Sequence, residues 1–450
     1  MNFKNYYHEN SSSDVRKSLQ HLNLGDHKIA VWNAFVDSNL MDVTDDDFSV
    51  LPRLLPASYL PVIKKNAKDV TTFCLRLLSL SEKEIRAIVP RGPIRDFLID
   101  DLEVLRFRPK RLTGSFRFDM AVVGPPNSTH PLQLLEINEI GFDGLARSSF
   151  FQKTLLDLLP QLKKRVISMD TAAAEVRNMQ RLGTHTARIQ YDCYNWDEEY
   201  LLQTAEQMGA RVHLISPEQF NCKIDDDFPL LKKEKFSFQK GRVKIGARLI
   251  PDALNMSFAF GLSDYKKGRE LYAKIIRSQT PQYGPFVTGL VASKTILILL
   301  NDPLLRRKLL GSSSKLQNSI LPAFSLERQR EQVLARSNSL VLKHVDGFGG
   351  QQVYMGQDLV RQLKKVKTRQ EHEYVLQKKT LLNSIDVDGI LSRPKRAISD
   401  LGVFVHYDWQ NGQYRHFEVG GLMSRATNKG LKVNVSSGGL QVAVMLERGK

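Results

Sequence analysis

The chain has 450 residues, of which 42% are hydrophobic and 25% are charged, and its formal net charge is +17. This length and composition predict a globular protein of two or three domains and exclude a disordered or fibrous chain. The longest apolar run, around residues 296–300, is too short to span a bilayer, and the N-terminus lacks the apolar core of a signal peptide. The three cysteines, Cys74, Cys193 and Cys222, have neither a metal-binding nor a disulfide spacing, which fits a reducing compartment. We therefore expect a cytoplasmic protein with no membrane partner.

The positive charge is compatible with a nucleic-acid partner, with anionic small substrates, or with a diffuse basic surface. The basic residues are spread along the chain in pairs and triplets, and no RNA-binding signature accompanies them. We therefore expect no nucleic-acid partner, which leaves anionic substrates or a diffuse basic surface.

The N-terminal part of the chain is predicted to be mostly helical up to about residue 100. Apolar residues recur at helical spacing in 70–80 and 85–102. A β-rich part follows, and its strands are predicted at 117–123 and 132–137. Residues 151–165 then have the pattern of an amphipathic helix.

The middle of the chain has the pattern of an α/β unit. A strand near residue 184, a helix ending at Gly209 and a second strand indicate parallel pairing. Residues 291–330 are predicted to be helical again, and residues 338–450 to form strands joined by loops. These patterns divide the chain into three parts: 1–165, 166–290 and 291–450.

The segment VLKHVDGFGGQQVYMG, residues 341–356, places Lys343 at the end of an apolar strand and follows it with a glycine-rich loop. Backbone N–H groups of such a loop can approach an anion closely, and the lysine supplies a balancing charge, so the pair indicates a phosphate site. The loop matches neither the dinucleotide-binding fingerprint nor the P-loop, and no helix is predicted to follow it. A plain β-hairpin turn rich in glycine explains the loop alone equally well.

Two oxygen-bearing side chains lie close together in LLEINEIGFDGLARS, residues 134–148. Glu136 and Asn138 are two positions apart at a strand end and therefore point to one face. A carboxylate beside an amide oxygen suits Mg²⁺, which prefers oxygen ligands and keeps several waters. A surface Glu-x-Asn without a metal is common at strand ends and stays open as an alternative.

Two arginines are candidates for binding an acidic substrate. Arg117 begins the apolar strand RFDMAVV, where it could bind a carboxylate bidentately, or pair with Asp119 or solvent on an edge strand. Arg425 follows a predicted Gly-Gly turn, in a C-terminal run whose glycines and polar residues are typical of ligand-binding loops.

Five segments, in this order, resemble the eukaryotic type of glutathione synthetase, a branch of the ATP-grasp superfamily. They are RFDM, LEINEIGFDGLARSS, VLKHVDGFGGQQVYMG, ISDLGVF, and GGLMSRATNK with the following SSGG. The resemblance covers about half of the chain, roughly 105–150 and 285–450. It implies a mixed α+β and α/β architecture, the ATP-grasp fold of the glutathione synthetase type, with an inserted parallel α/β substrate-binding domain at 166–290. Residues 1–165 would form the N-terminal part of the ligase core, and residues 291–450 the C-terminal part with a glycine-rich lid loop.

The resemblance also implies an ADP-forming ligase that joins an amino acid or short peptide to an amine through an acyl phosphate. Its expected cofactors are ATP and Mg²⁺, and relatives of this type are often homodimers. The implied metal ligands are Glu136, Asn138 and Asp346. The implied nucleotide-binding residues are Lys294, Lys343, Gly347, Gly349, Gly350, Gln377 and Lys378. Catalytic roles in holding the peptide substrate fall to Arg117 and Arg425.

The chain departs from the family pattern at three places. Gly347 stands where the family's loop has a magnesium-binding glutamate, which makes Asp346 the candidate replacement. The family's R-T-K is Arg425-Ala426-Thr427 here, so one ATP-binding lysine is missing unless Lys429 replaces it. The last substrate loop, G-G-V-A-A-G in the family, reads GGLQVAV. These departures favour a substrate other than that of glutathione synthetase and keep open a non-catalytic nucleotide-binding protein.

Overall fold

The computed structural model describes residues 30, 33–34, 48–92, 95–139, 144–189, 196–218, 232–256, 266–312, 314, 316–327, 329–347, 352–387, 395–428, 433 and 439–448. Five residues named above lie outside these ranges: Cys193, Cys222, Gly349, Gly350 and Lys429, the candidate replacement for the missing ATP lysine.

The helices of the described chain are mostly short. The α-helices are α1 (Tyr59–Leu78), α2 (Glu82–Ile88), α3 (Leu145–Leu158), α4 (Thr171–Gln180), α5 (Trp196–Gln207), α6 (Lys266–Arg277), α7 (Thr295–Asn301), α8 (Pro303–Leu310), α9 (Arg330–Ala335) and α10 (Gln357–Lys365). A π-helical segment covers Asp96–Asp101, and 3₁₀ turns cover Pro160–Leu162, Phe286–Val291, Leu316–Ser319, Ser337–Ser339 and Thr368–Glu373. None of the helices within the described ranges has both the length and the apolarity needed to cross a bilayer.

The strands of the described chain are numbered in chain order. They are β1 (Phe48–Pro56), β2 (Arg111–Val122), β3 (Leu132–Glu139), β4 (Val166–Ile167), β5 (His185–Ile189), β6 (Arg211–Pro217), β7 (Lys232–Glu234), β8 (Phe236–Gln239), β9 (Arg242–Ile245), β10 (Ala253–Asn255), β11 (Gln282–Tyr283), β12 (Ala323–Ser325), β13 (Leu340–His344), β14 (Val353–Met355), β15 (Tyr374–Lys378), β16 (Asn383–Val387), β17 (Lys395–Ser399), β18 (Leu401–Gln410), β19 (Gln413–Thr427) and β20 (Leu440–Glu447).

Most strands join one 14-stranded sheet whose main path runs β1-β20-β19-β18-β2-β11-β10-β5-β6-β7. Strand β3 also pairs with β2, β4 with β20, and β17 joins β16 to β19. A second sheet of four antiparallel strands has the order β12-β15-β13-β14, and β8 pairs with β9 alone. We call these two larger assemblies the large sheet and the small sheet.

The parallel pairing predicted for the α/β unit is confirmed. Strand β5 pairs in parallel with β6 and β10, and β10 pairs in parallel with β11. Helix α5 connects β5 to β6, and Gly209 follows it with φ +73°, a left-handed conformation that favours glycine after a helix end. The unit reaches the rest of the large sheet where Tyr283 of β11 pairs with Thr113 of β2. The domain boundaries at 166 and 290 stay predictions.

Strand β2 is the centre of the large sheet, and its two faces have different partners. Phe116 and Phe118 lie in the main hydrophobic core, against which α1 packs. Arg117 and Asp119 alternate with them and point to the opposite face, toward which α4 also packs. Because β18 flanks β2 on one side and β3 and β11 on the other, Arg117 is not on an edge strand.

The described part of the first hundred residues is mostly helical, as predicted, but two elements in the first half of the chain differ from the prediction. Residues 48–56 form β1, which pairs in parallel with β20, because a short apolar run such as FSVLPRLLP fits a buried strand as well as a helix. The helix predicted at 151–165 begins at Leu145 and ends at Leu158. Pro160 lacks the N–H that would continue the helix, and a 3₁₀ turn starts there instead.

Two predictions in the second half are also wrong. No helix is predicted after the glycine-rich loop, yet α10 follows β14 and buries Leu359 and Leu363, which lie one turn apart. The Gly-Gly turn predicted before Arg425 does not form, because Gly420 and Gly421 lie inside the 15-residue strand β19.

Candidate nucleotide and metal site

The site is built around a bulge in β3. Asp119 pairs with Glu136 and Met120 pairs with Leu134, so Leu135 is the extra residue between them. A bulge leaves one residue unpaired and turns backbone groups out of the ladder. Here the carbonyl of Leu135 accepts a hydrogen bond from Lys343 Nζ at 2.9 Å, and that of Leu134 accepts one from Gln377 Nε2 at 3.3 Å. The bulge is therefore where the large sheet contacts β13 and β15 of the small sheet.

Two buried lysines lie beside Glu136 at this junction. Lys294, at the start of α7, places Nζ 3.2 Å from Glu136 Oε1 and also donates to the carbonyl of Gly347. Only 4% of Lys294 and 7% of Lys343 are exposed. Burial lowers the pKa of Lys343 to about 8, although the Glu136 carboxylate opposes this shift. Lys294 thus pairs with a carboxylate, whereas Lys343 donates to the neutral carbonyl of Leu135.

Asp119 lies next to this cluster and accepts from three side chains. Arg117 Nε donates to Oδ1 at 2.9 Å, while Asn138 Nδ2 and Arg425 Nη2 donate to Oδ2 at 2.9 and 2.7 Å. Burial alone would raise the pKa of Asp119, but the guanidinium groups of Arg117 and Arg425 outweigh it and lower the pKa to about 2. Asp119 is therefore a permanent carboxylate at ordinary pH.

Arg425 bridges two carboxylates from different parts of the sheet. Besides Asp119, it contacts Asp400, which accepts from Arg425 Nε at 3.1 Å and from its backbone N–H at 3.0 Å. Burial alone would lower the pKa of Arg425, but the two carboxylates reverse this and raise it, so the guanidinium stays charged. Neither aspartate is among the predicted site residues, although both lie in segments, RFDM and ISDLGVF, that carry the family resemblance.

The remaining predicted residues differ in burial and in their contacts. Gln377 is buried at the junction, whereas the neighbouring Lys378 is exposed at the end of β15. Asp346 lies close to Gly92 and, with Ser293, lines a small cavity behind β13. Gly347 contributes its carbonyl to Lys294. Within the described ranges, no three His, Cys, Asp or Glu side chains converge on a point where a metal could bind.

No protein-family model matches the chain, and no curated protein matches it. Among solved structures, the apo form of a glutathione synthetase-like effector (GSS30) from Globodera pallida aligns with 94% of this chain and 97% of its own, at a TM-score of 0.67 and 11% identity. The chain has the ATP-grasp fold of the glutathione synthetase type. The ATP-grasp ligase PsnB, complexed with a minimal precursor, aligns with 53% of this chain and 91% of its own at 12% identity and a TM-score of 0.32.

The predicted fold class is thus confirmed, and at 11% identity the likeness concerns the fold alone. In this ATP-grasp fold the donor groups at the sheet junction fit the cofactors expected from the sequence. The Glu136 carboxylate and the Asn138 amide oxygen are hard ligands of the kind that Mg²⁺ prefers. Lys294 and Lys343 are buried cations of the kind that neutralise phosphate oxygens.

Proposed function

We propose that the chain is an ATP-dependent, ADP-forming ligase that joins the carboxyl group of an amino acid or short peptide to an amine. The observation that carries this proposal is the pair of buried lysines, Lys294 and Lys343, at the junction of the two sheets. Buried charges need compensation, and while Lys294 pairs with Glu136, Lys343 donates to the neutral carbonyl of Leu135. A triphosphate entering the junction would supply the missing negative charge.

The proposed reaction has two steps, formation of an acyl phosphate and its attack by the amine. A substrate carboxylate oxygen attacks the γ-phosphorus of ATP, ADP leaves, and an acyl phosphate forms. The amine nitrogen attacks the carbonyl carbon, loses a proton and releases phosphate, which gives the amide. Lys294 and Lys343 stabilise the negative charge on the transferred phosphoryl group. Mg²⁺ bound at Glu136 and Asn138 would add positive charge beside the same phosphate oxygens.

The test measures ADP release from the purified protein with Mg-ATP and a panel of amino acids and short peptides, including γ-glutamylcysteine with glycine. We expect one acid–amine pair to stimulate ADP release, and Glu136→Ala to abolish that stimulation. Glu331→Ala, which removes an exposed glutamate at the start of α9, is the matched control and should release ADP like the wild type. Absence of ATP binding to the wild type would overturn the proposal.

A non-catalytic nucleotide-binding protein is the second candidate. Two observations favour it: Gly347 replaces the loop glutamate of the family, and among the residues that the structure describes Asp346 lies near Gly92 and joins no cluster of three acidic ligands. This candidate predicts Mg²⁺-dependent ATP binding, weakened in Glu136→Ala, without ADP release for any acid–amine pair. Equilibrium binding of ATP beside the turnover assay therefore separates the two candidates.

A further inference from the structure

Asp119 does more than balance the charge of Arg425. Arg425 already has a carboxylate partner in Asp400, which contacts it through both side chain and backbone. Besides the hydrogen bonds from Arg117 and Arg425, Asp119 accepts one from Asn138 Nδ2, at 2.9 Å. Asp119 is only 3% exposed, so water does not compete effectively for this bond.

The bond to Asp119 decides which way the Asn138 amide faces. An ionised carboxylate only accepts hydrogen bonds, so the amide must turn its nitrogen toward Asp119. Its oxygen, Oδ1, then faces away from Asp119. Glu136 pairs with Asp119 across the two strands, so the Asn138 amide and the Glu136 carboxylate share one face of the sheet.

We propose that Asp119 is a positioning residue for the metal site, because its carboxylate holds the Asn138 amide with Oδ1 presented to a divalent cation. The inference rests on the proposed function and extends it to a residue with no contact to the cation. Arg117 donates to Oδ1 of Asp119 and Arg425 to Oδ2, so the arginines predicted to bind substrate also help to fix the orientation of a metal ligand. Groups that orient metal ligands in this way typically change metal affinity about 10–100-fold when removed.

The test uses Mn²⁺ as the probe and measures its binding by electron paramagnetic resonance, with and without ADP. Asn138 Nδ2 and Arg425 Nη2 donate to the same oxygen of Asp119, Oδ2, while Arg117 Nε donates to Oδ1. Asp119→Ala removes both oxygens, so the Asn138 amide loses the acceptor that fixes its orientation. We expect Mn²⁺ affinity in the presence of ADP to fall about 10–100-fold.

Asp119→Asn is the conservative rescue. An amide oxygen in place of Oδ2 can still accept from both Arg425 and Asn138, so the Asn138 amide keeps its orientation. Asp119→Asn and Asp119→Ala carry the same net charge, and we expect Mn²⁺ affinity in Asp119→Asn to lie within a few-fold of the wild type. Asp408→Asn is the matched structural control, because Asp408 is a buried partner of Arg111 at the far end of β18. It should lower the unfolding temperature without changing Mn²⁺ affinity.

The outcomes separate this inference from the proposed function. Wild-type affinity for Mn²⁺ in Asp119→Ala would overturn the inference while leaving the metal site intact. A folded Asp119→Asn variant whose Mn²⁺ affinity falls about 10–100-fold would also overturn it, because its oxygen still accepts from Asn138, and this arm stands even if Asp119→Ala is too unstable to assay. A wild-type protein that binds no Mn²⁺ with ADP would overturn the metal requirement of the proposed function itself.

Discussion

The ammonium group of Lys343 is charged at neutral pH but close to losing its proton. It lies against the carbonyl of Leu135 in a site from which water is largely excluded. Burial lowers its pKa to about 8, against an ordinary value for lysine of about 10.4. A bound triphosphate would favour the charged form and raise this pKa again.

Nucleotide affinity should therefore depend on pH through Lys343. Well below pH 8 Lys343 is protonated with or without nucleotide, so it adds no pH dependence to the affinity there. Above about pH 8 the free protein loses the proton that the complex retains, so affinity should fall by up to about tenfold per pH unit. Lys343→Arg should remove this fall, because a guanidinium stays charged throughout. Calorimetric titration of ADP between about pH 6.5 and 9.5 measures the affinity. The same fall in affinity at alkaline pH in Lys343→Arg would contradict its assignment to Lys343.

Some site residues are predictable from the sequence and others are not. Glu136 and Lys343 can be chosen because each lies in a segment that resembles a known family, at a position where that family has a ligand-binding residue, and Lys294 because it lies in the wider region of resemblance, 285–450. Asp119 and Asp400 cannot, because their partners depend on the register of β2 against β3 and on where Arg425 of β19 comes to lie. A bulge changes that register by one residue, and periodicity alone does not place bulges.

Gly420 and Gly421 of β19 leave space for the neighbouring helix α4. Phe404 of β18 pairs with Gly421 and Val405 pairs with Val419, so Gly420 is a bulge residue. A Cβ on Gly420 would lie 2.5 Å from that of Ala174, and one on Gly421 would lie 2.6 Å from that of Thr171. Both neighbours belong to α4, so the two glycines let this helix pack directly on the strand.

Gly421→Ala should destabilise the protein because α4 would have to move away from β19. Overpacking a buried contact of this kind costs about 1–3 kcal/mol. Urea unfolding followed by circular dichroism measures the loss. Gly92→Ala is the matched control, since its new Cβ would meet Val345 at 3.5 Å and Asp346 at 3.6 Å, which are ordinary contacts. Equal effects of the two substitutions would show that close packing of α4 on β19 does not limit stability.

The two glycines also show why an element can be predicted wrongly. A Gly-Gly pair in a sequence usually indicates a turn, because glycine adopts conformations that other residues avoid. In β19 the two glycines are needed because they have no side chains and so leave room for α4. The strand continues through them to Arg425. Whether a Gly-Gly pair forms a turn or makes room for a neighbouring element depends here on α4, which lies far earlier in the chain.

At the scale of the whole molecule, the parallel α/β unit is tied to the central strands by a buried polar network. Tyr283 of β11 donates to Glu175 of α4 at 2.7 Å, and His406 of β18 lies 2.9 Å from the same carboxylate. Asn178 of α4 donates to the Tyr283 hydroxyl at 3.2 Å. Three elements that are distant in sequence are thus joined where β11 meets β2.

Tyr283→Phe should weaken this connection without changing the shape of the core. The substitution removes one donor to the buried Glu175 carboxylate, and leaving a buried polar group without its partner costs about 1–3 kcal/mol. The free energy of unfolding in urea should fall by this amount. An unchanged free energy of unfolding would show that the network contributes no stability at the junction.

The pairing of β1 with β20 means that the large sheet cannot be completed until the C-terminal strand has been synthesised. Phe48 pairs with Gln441, so one of the first strands to leave the ribosome needs one of the last as its neighbour. At about 5–20 residues per second, an apolar strand waits on the order of half a minute for that partner. Contacts so distant in sequence form slowly, and an unpaired strand edge invites aggregation. Chaperones are therefore expected to determine how much of this protein a cell obtains in native form.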